Sequence, residues 1–319
     1  MIRFLRLVQN ENMKIWRRLS TPVMCGILAA ACILMAFVMK AYQPAEAPAD
    51  PWKQSLLLEN EQLAESLSKG QLPPAMAEET RKKMEINEYR LQKNLPPHEP
   101  LMWKFTRETG TLLIPLVTLF TVITGATAVA GEFSMGTIKF LLIRPPGRSQ
   151  ILLAKYLSIL LFALGLLLLL FVLLPLVGGV MFGFESWGPP RLIHDGQQII
   201  ERSVPAHLLI LFAGSTAELL MMVTFAFMIS TVFRSSSAAI GLSVFLMFAG
   251  HQAVNILSLR GADWIRWILF ANTDLLPYFG EGSPPAEGMT LAFSLTVLVV
   301  HFLLFTGISW WVFARRDVA

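Results

Sequence analysis

The chain has 319 residues, 54% of them hydrophobic and only 15% charged, and its mean hydropathy is +0.56. Average soluble domains carry about 25% charged residues, so this composition excludes an ordinary soluble enzyme, a disordered chain and a collagen-like repeat. The net charge is only +4, and its placement along the chain says more than its size.

Residues 1–20 predict an amphipathic interfacial helix. Met1, Phe4, Leu5, Val8, Ile15, Trp16 and Leu19 fall near one face, with Asn12 interrupting. Arg3, Arg6, Lys14, Arg17 and Arg18 supply five positive charges for lipid headgroups. Residues 21–40 follow as a first transmembrane helix. Their apolar run is too long for a signal-peptide core, and no small-residue cleavage site follows it. Cys25 and Cys32 share that helix, so no intrachain disulfide is expected.

Residues 41–108 are polar, bracketed by Pro44, Pro48 and Pro51 and by Pro96, Pro97 and Pro100. Two helix-favouring stretches, broken at Gly70, Pro73 and Pro74, predict a helical hairpin. It is too small to bury much core alone and should lean on the membrane part or on a partner.

Five more apolar blocks follow within 109–319: Thr109–Ala130, Leu152–Phe182, His207–Phe233, Ala238–Leu259 and Thr290–Ala314. The fold class is therefore all-α, a polytopic membrane protein with six transmembrane helices. The block containing Pro175 is long enough to be tilted, kinked or extended. Gly179 and Gly183 form a weak G-x-x-x-G packing signal.

Placing the N-terminus, residues 131–151, Arg234 and the C-terminus on one side gathers eleven Lys/Arg there against Glu11, Glu132 and Asp317. Loops 184–206 and 260–289 carry four Lys/Arg against seven acids. The positive-inside rule then puts both termini in the cytoplasm and the hairpin outside.

Residues 131–155, GEFSMGTIKFLLIRPPGRSQILLAK, are the most informative stretch. They imitate the spacing of a phosphate loop but lack the lysine before Thr137 and follow a membrane helix, which excludes nucleotide binding at this site. A short helix over Phe133–Leu142, carrying Lys139 and stopped at Pro145 and Pro146, would present a rigid cationic element between Arg144 and Arg148. Such an element suits docking to a cytoplasmic partner; a basic loop that only fixes topology is the plainer alternative.

This stretch closely resembles the signature between the second and third helices of bacterial ABC type 2 exporter permeases, the family that includes bacitracin and antibiotic-resistance permeases. FRSSSAAIGLS at 233–243, ILFANTDLLPYF at 268–279 and INEYRLQKNLPP at the end of the hairpin fit the same pattern. The resemblance implies a coupling helix seated on a cytoplasmic ABC ATPase subunit, with Glu132, Phe133, Gly136, Thr137, Lys139, Arg144, Pro145 and Arg148 as the ATPase-coupling positions. It also implies an N-terminal elbow helix, short re-entrant helices over 260–285, and a second permease subunit forming a homodimer or related heterodimer. No Walker A sequence occurs. The resemblance therefore implies that ATP and Mg are bound by the partner ATPase, with no cofactor bound directly by this chain and no enzyme activity of its own.

Glu218 lies within an apolar block, where a carboxylate costs about 3 kcal/mol on insertion scales. With His251, Asn255 and His301 it is a candidate for a substrate path; interhelical hydrogen bonding is the alternative. The five histidines have no metal-binding spacing, and cations at the membrane edge favour anionic lipid over nucleic acid. The expected function is the permease subunit of an ATP-driven exporter in the bacterial cell membrane, with antimicrobial peptide or drug efflux in view. The alternatives are a membrane enzyme using His194, Asp195 and Glu201, and a membrane anchor or sensor that binds a peptide through the hairpin without transport.

Overall fold

The computed structural model describes residues 2–42, 52–70, 74–97, 99–137, 147–184, 186–194, 198–280 and 282–315. Two helices open the chain, α1 (Ile2–Trp16) and α2 (Ser20–Ala41), followed by the pair α3 (Trp52–Ser68) and α4 (Pro74–Lys93). Next come α5 (Leu101–Thr127), the single turn α6 (Ala130–Ser134) and α7 (Arg148–Phe182). A two-stranded ribbon, β1 (Arg191–His194) and β2 (Ile199–Arg202), precedes α8 (Val204–Val232) and α9 (Ser236–Leu259). Helical turns at Asp263–Trp267, α10 (Leu269–Asn272) and Leu276–Phe279 lead into α11 (Leu291–Arg315).

Six of these helices (α2, α5, α7, α8, α9 and α11) are long and apolar enough to cross a membrane. The chain is thus a predominantly α-helical, multi-pass membrane protein. The bundle is helical as expected, with one short β ribbon added to it. β1 and β2 pair antiparallel with Arg191 opposite Arg202 and Ile193 opposite Ile200. Strands of four residues leave too short a pattern for sequence periodicity to reveal.

The central packing unit is α5, α7 and α8. Phe105, Leu113, Leu166, Leu170, Phe212 and Phe227 form part of its buried core. Of the six long helices, α5 is the most buried and α2, α9 and α11 are the least. Helix α5 starts at Leu101, ahead of the apolar run at Thr109, because Trp103 stacks on Trp187 at 4.1 Å and Met102 packs with Val204 and Leu208. Helix α7 runs unbroken through Pro175; at 1.5 Å per residue its 35 residues span about 52 Å, well beyond a hydrocarbon core of about 30 Å.

Close packing of α5 against α7 depends on Gly178 rather than on the expected Gly179 and Gly183. A Cβ at Gly178 would lie 3.0 Å from Phe105 and 3.2 Å from the Met102 carbonyl. Gly179 faces Phe184 of its own chain, and Gly183 ends the helix at φ 94°.

The α3–α4 pair is joined by a bifurcated contact from the Asn87 amide to Glu59 (3.0 Å) and Asn60 (2.9 Å), with Lys83–Glu59 beside it at 2.6 Å. It leans on the ribbon: His194 meets Glu85 at 2.6 Å, and Tyr89 donates to Glu201 at 2.9 Å.

Replacing Gly178 with Val should force α7 from α5 and cost about 1–3 kcal/mol, read as a lower Tm of the detergent-purified protein. Gly26→Ala, at a position with open space, should leave Tm unchanged or slightly raised.

Candidate functional site

Four acidic and basic side chains converge where α1, α6 and α7 meet. Lys155, two turns into α7, is 4% exposed. Its ammonium donates to Glu11 on α1 at 2.9 Å and to Glu132 on α6 at 3.0 Å. Lys14 reaches Glu11 at 2.5 Å and stands 3.8 Å from Glu132. The Thr137 hydroxyl donates to the second Glu132 oxygen. Two carboxylates and two ammonium groups thus balance. A cavity of about 20 Å³ beside Glu11, Lys14 and Lys155 has room for one water.

Burial alone would raise the Glu11 carboxyl. The Lys155 charge and hydrogen bonds from Lys14 and Lys155 outweigh it, so the group sits below its ordinary value of 4.5. Glu132 follows the same logic: desolvation raises it, while Lys155, the Thr137 hydroxyl and Lys14 bring it below 4.5. Both groups are therefore held as carboxylates, which is the state that pairs with buried Lys155.

Residues 128–137 also join the opposite side of the bundle. The helix breaks between α5 and α6, and the Ser230 hydroxyl of α8 accepts from both freed amides, Val129 and Ala130, at 3.0 Å each. Ser134 donates to the Arg234 carbonyl at 3.2 Å and accepts from the Ser236 amide at 3.0 Å. One short segment therefore touches α1, α5, α7 and the α8–α9 turn.

Of the expected helix Phe133–Leu142, residues 138–142 lie outside the described residues; among the described ones a helical turn occupies 130–134 and closes where Gly136 adopts φ 69°. Phe133 packs at the edge of the main core, and Gly136 is exposed. Lys139, Arg144 and Pro145 lie outside the described residues. Arg148 opens α7 and donates to the Ala314 carbonyl at 3.0 Å, tying α7 to the end of α11.

Helix α1 packs on α7 through part of its apolar stripe, Val8, Ile15 and Trp16, with Glu11 set on the same face. Glu11 and Ile15 are buried, whereas Leu5 is 59% and Leu19 85% exposed. Ser158 donates to the Val8 carbonyl at 3.0 Å, and Trp16 meets Phe162 edge-on at 5.5 Å. Arg6, Arg17 and Arg18 are exposed, and Arg3 lies in the first turn of α1. Glu11, Lys155, Ser134 and Ser230 are the site residues that pattern reasoning missed. The available signals were a lysine inside an apolar run and a lone glutamate on a basic helix.

The intramembrane candidates divide. Glu218 on α8 and His251 on α9 come together at 3.4 Å, with the Thr273 hydroxyl also 3.4 Å from His251 Nε2 and the Met247 carbonyl 2.7 Å from Nδ1. Asn255 is exposed one turn further along α9. His301 is not part of this group: it sits on α11 against Val297 and Phe305, beside an apolar recess with Trp267 and Phe293.

Fold and site together define a polytopic helical membrane protein with a buried ionic junction at one face. Residues 84–319 match the family described as "Protein of unknown function (DUF2705)", and the chain belongs to that family. It is 37% identical over 318 residues to "Uncharacterized protein YhcI" of Bacillus subtilis (strain 168), covering 99% of each chain. It is also 30% identical over 203 residues to "Uncharacterized membrane protein YdbK" of the same organism, covering 64% of this chain and 78% of that one.

Removing one partner of a buried ion pair costs about 3–5 kcal/mol. Lys155→Met should therefore lower stability by that order, while Glu11→Gln, Glu132→Gln and Lys155→Met together should recover most of it in chemical denaturation. The carboxyl values are depressed on folding, so their contribution is complete above 4.5 and is lost as pH falls through the lower folded values. Hydrogen-exchange protection factors in α1, corrected for the intrinsic rate, should fall over that acid range and stay level between pH 6 and 8.

Proposed function

We propose that this chain is the membrane-spanning subunit of an ATP-driven exporter of the ABC type 2 class, working with a separate cytoplasmic ATPase. One observation carries this reading beyond the sequence resemblance. The described start of the loop that would receive the ATPase, residues 129–137, is bonded to α1, α7, α8 and the α8–α9 turn through Glu132, Ser134 and the Ser230 cap. A displacement applied there reaches most of the bundle through short polar contacts, as a mechanical input requires.

In this reading α1 is an interfacial elbow, with Arg6, Arg17 and Arg18 toward anionic headgroups. Both termini are cytoplasmic, and the α3–α4 pair and the β ribbon are outside. A second permease subunit completes the path, which alternates access as the ATPase binds and hydrolyses Mg-ATP. Glu218 and His251 line the path, and efflux of an antimicrobial compound is the transport it serves. Lys139, Arg144 and Pro145 belong to the surface offered to the ATPase.

Affinity purification from the native membrane tests this directly. The wild-type chain should carry a stoichiometric ATPase containing a Walker A sequence. The variant Lys139→Glu/Arg144→Glu should insert normally yet lose that subunit and the stimulation of ATP hydrolysis. A chain that purifies without any ATPase, or a charge-reversed chain that keeps it, would sink the proposal. The first of those results would favour a sensor that binds its ligand without transport.

A further inference from the structure

A cleft of about 740 Å³ opens between α4, the β ribbon and residues 277–280 and 282–289. Its volume falls among sites that take drug-sized ligands, about 300–1,000 Å³. Ile193 and Ile200, register partners on the ribbon, contribute apolar lining, and Tyr278 and Phe279 add aromatic surface.

The charges around it are unevenly used. Lys82 is paired with Glu78 at 2.7 Å, and Arg202 donates to the Phe279 carbonyl at 2.8 Å. Glu79 on α4 and Glu287 on the facing loop also line the cleft. Both are exposed, and neither has a partner among the described residues. Among the described residues the lining carries three carboxylates, Glu78, Glu79 and Glu287, against two cations, Lys82 and Arg202, and this excess of negative charge disfavours an anion and gains nothing from a neutral solute. A cation finds opposite charge there, and an aromatic face attracts it further.

We propose that this cleft binds an organic cation: an ammonium or phosphonium centre on an apolar body. Glu79 and Glu287 neutralise the charge, while Tyr278, Phe279 and the isoleucine pair hold the body. The inference goes beyond the exporter reading, because binding here needs neither an ATPase nor transport. A ligand seated in the cleft would also bridge the α3–α4 pair to the segment that enters α11, joining two parts that lie far apart in the chain.

The test uses the full chain in nanodiscs of phosphatidylcholine, whose zwitterionic surface gives cations no general attraction. Radiolabelled tetraphenylphosphonium should bind saturably above its partition into protein-free nanodiscs, and excess triphenylphosphine oxide, a neutral analogue, should not displace it. Glu79→Gln/Glu287→Gln should weaken binding about tenfold with an unchanged circular dichroism spectrum and Tm, since both side chains are exposed. Phe279→Ala should weaken it independently. Lack of saturable binding, equal affinity in the double glutamine variant, or displacement by triphenylphosphine oxide would each overturn the proposal. If tetraphenylphosphonium binds but no ATPase associates, the exporter reading fails and this one stands. An exporter complex that forms around a chain unable to bind the cation gives the reverse.

Discussion

Lys155 is the constraint around which one end of this protein is arranged. An ammonium group in an apolar run is costly unless it is paired and hydrogen-bonded, and among the described residues Glu11 and Glu132 satisfy it. Satisfying it requires α1 to lie against α7 and requires the turn after α5 to bring α6 back toward the bundle. Neither the position of the N-terminal helix nor that of the 130–137 turn is then free to vary on its own. Buried pairs of this kind are poor sources of net stability; what this one supplies is a defined relation among three separate segments.

Around that junction the apolar packing is ordinary and dense. Helices α5, α7 and α8 interlock through large side chains, with Gly178 admitting Phe105 and the Met102 carbonyl at close range. The peripheral helices α2, α9 and α11 keep most of their surface uncovered within a single chain. A bundle with a buried trio and three largely exposed long helices presents more apolar surface than a soluble monomer tolerates, which agrees with a lipid environment.

Apolar runs of helix length made the six long helices legible in sequence, because hydrophobic length is a one-dimensional property. The α3–α4 pair was readable from its composition and its breaks at Gly70 and Pro73–Pro74. The β ribbon was not, since four-residue strands carry no usable period. Residue partnerships were harder still. Glu218 and His251 were singled out separately, and only the packing of α8 on α9 puts them 3.4 Å apart. Glu11 looked like a stray acid on a basic helix; its role depends on a lysine 144 positions away. The apolar stripe on α1 was legible in part, since Ile15 is buried and Trp16 meets Phe162, but its periodicity gave no sign that Glu11 lies on the same buried face.

The bend between α5 and α6 has a further meaning. A helix that breaks exposes amide groups that need new partners, and here both go to one hydroxyl on a different helix, Ser230. The angle at which the 130–137 segment leaves the bundle is thus stored jointly in two chain regions 100 residues apart. Straightening the bend would strand the Ser230 oxygen, and withdrawing α8 would strand the two amides. The segment can tilt only if α8 tilts with it, so the joint behaves as a rigid bracket between helices and not as a hinge.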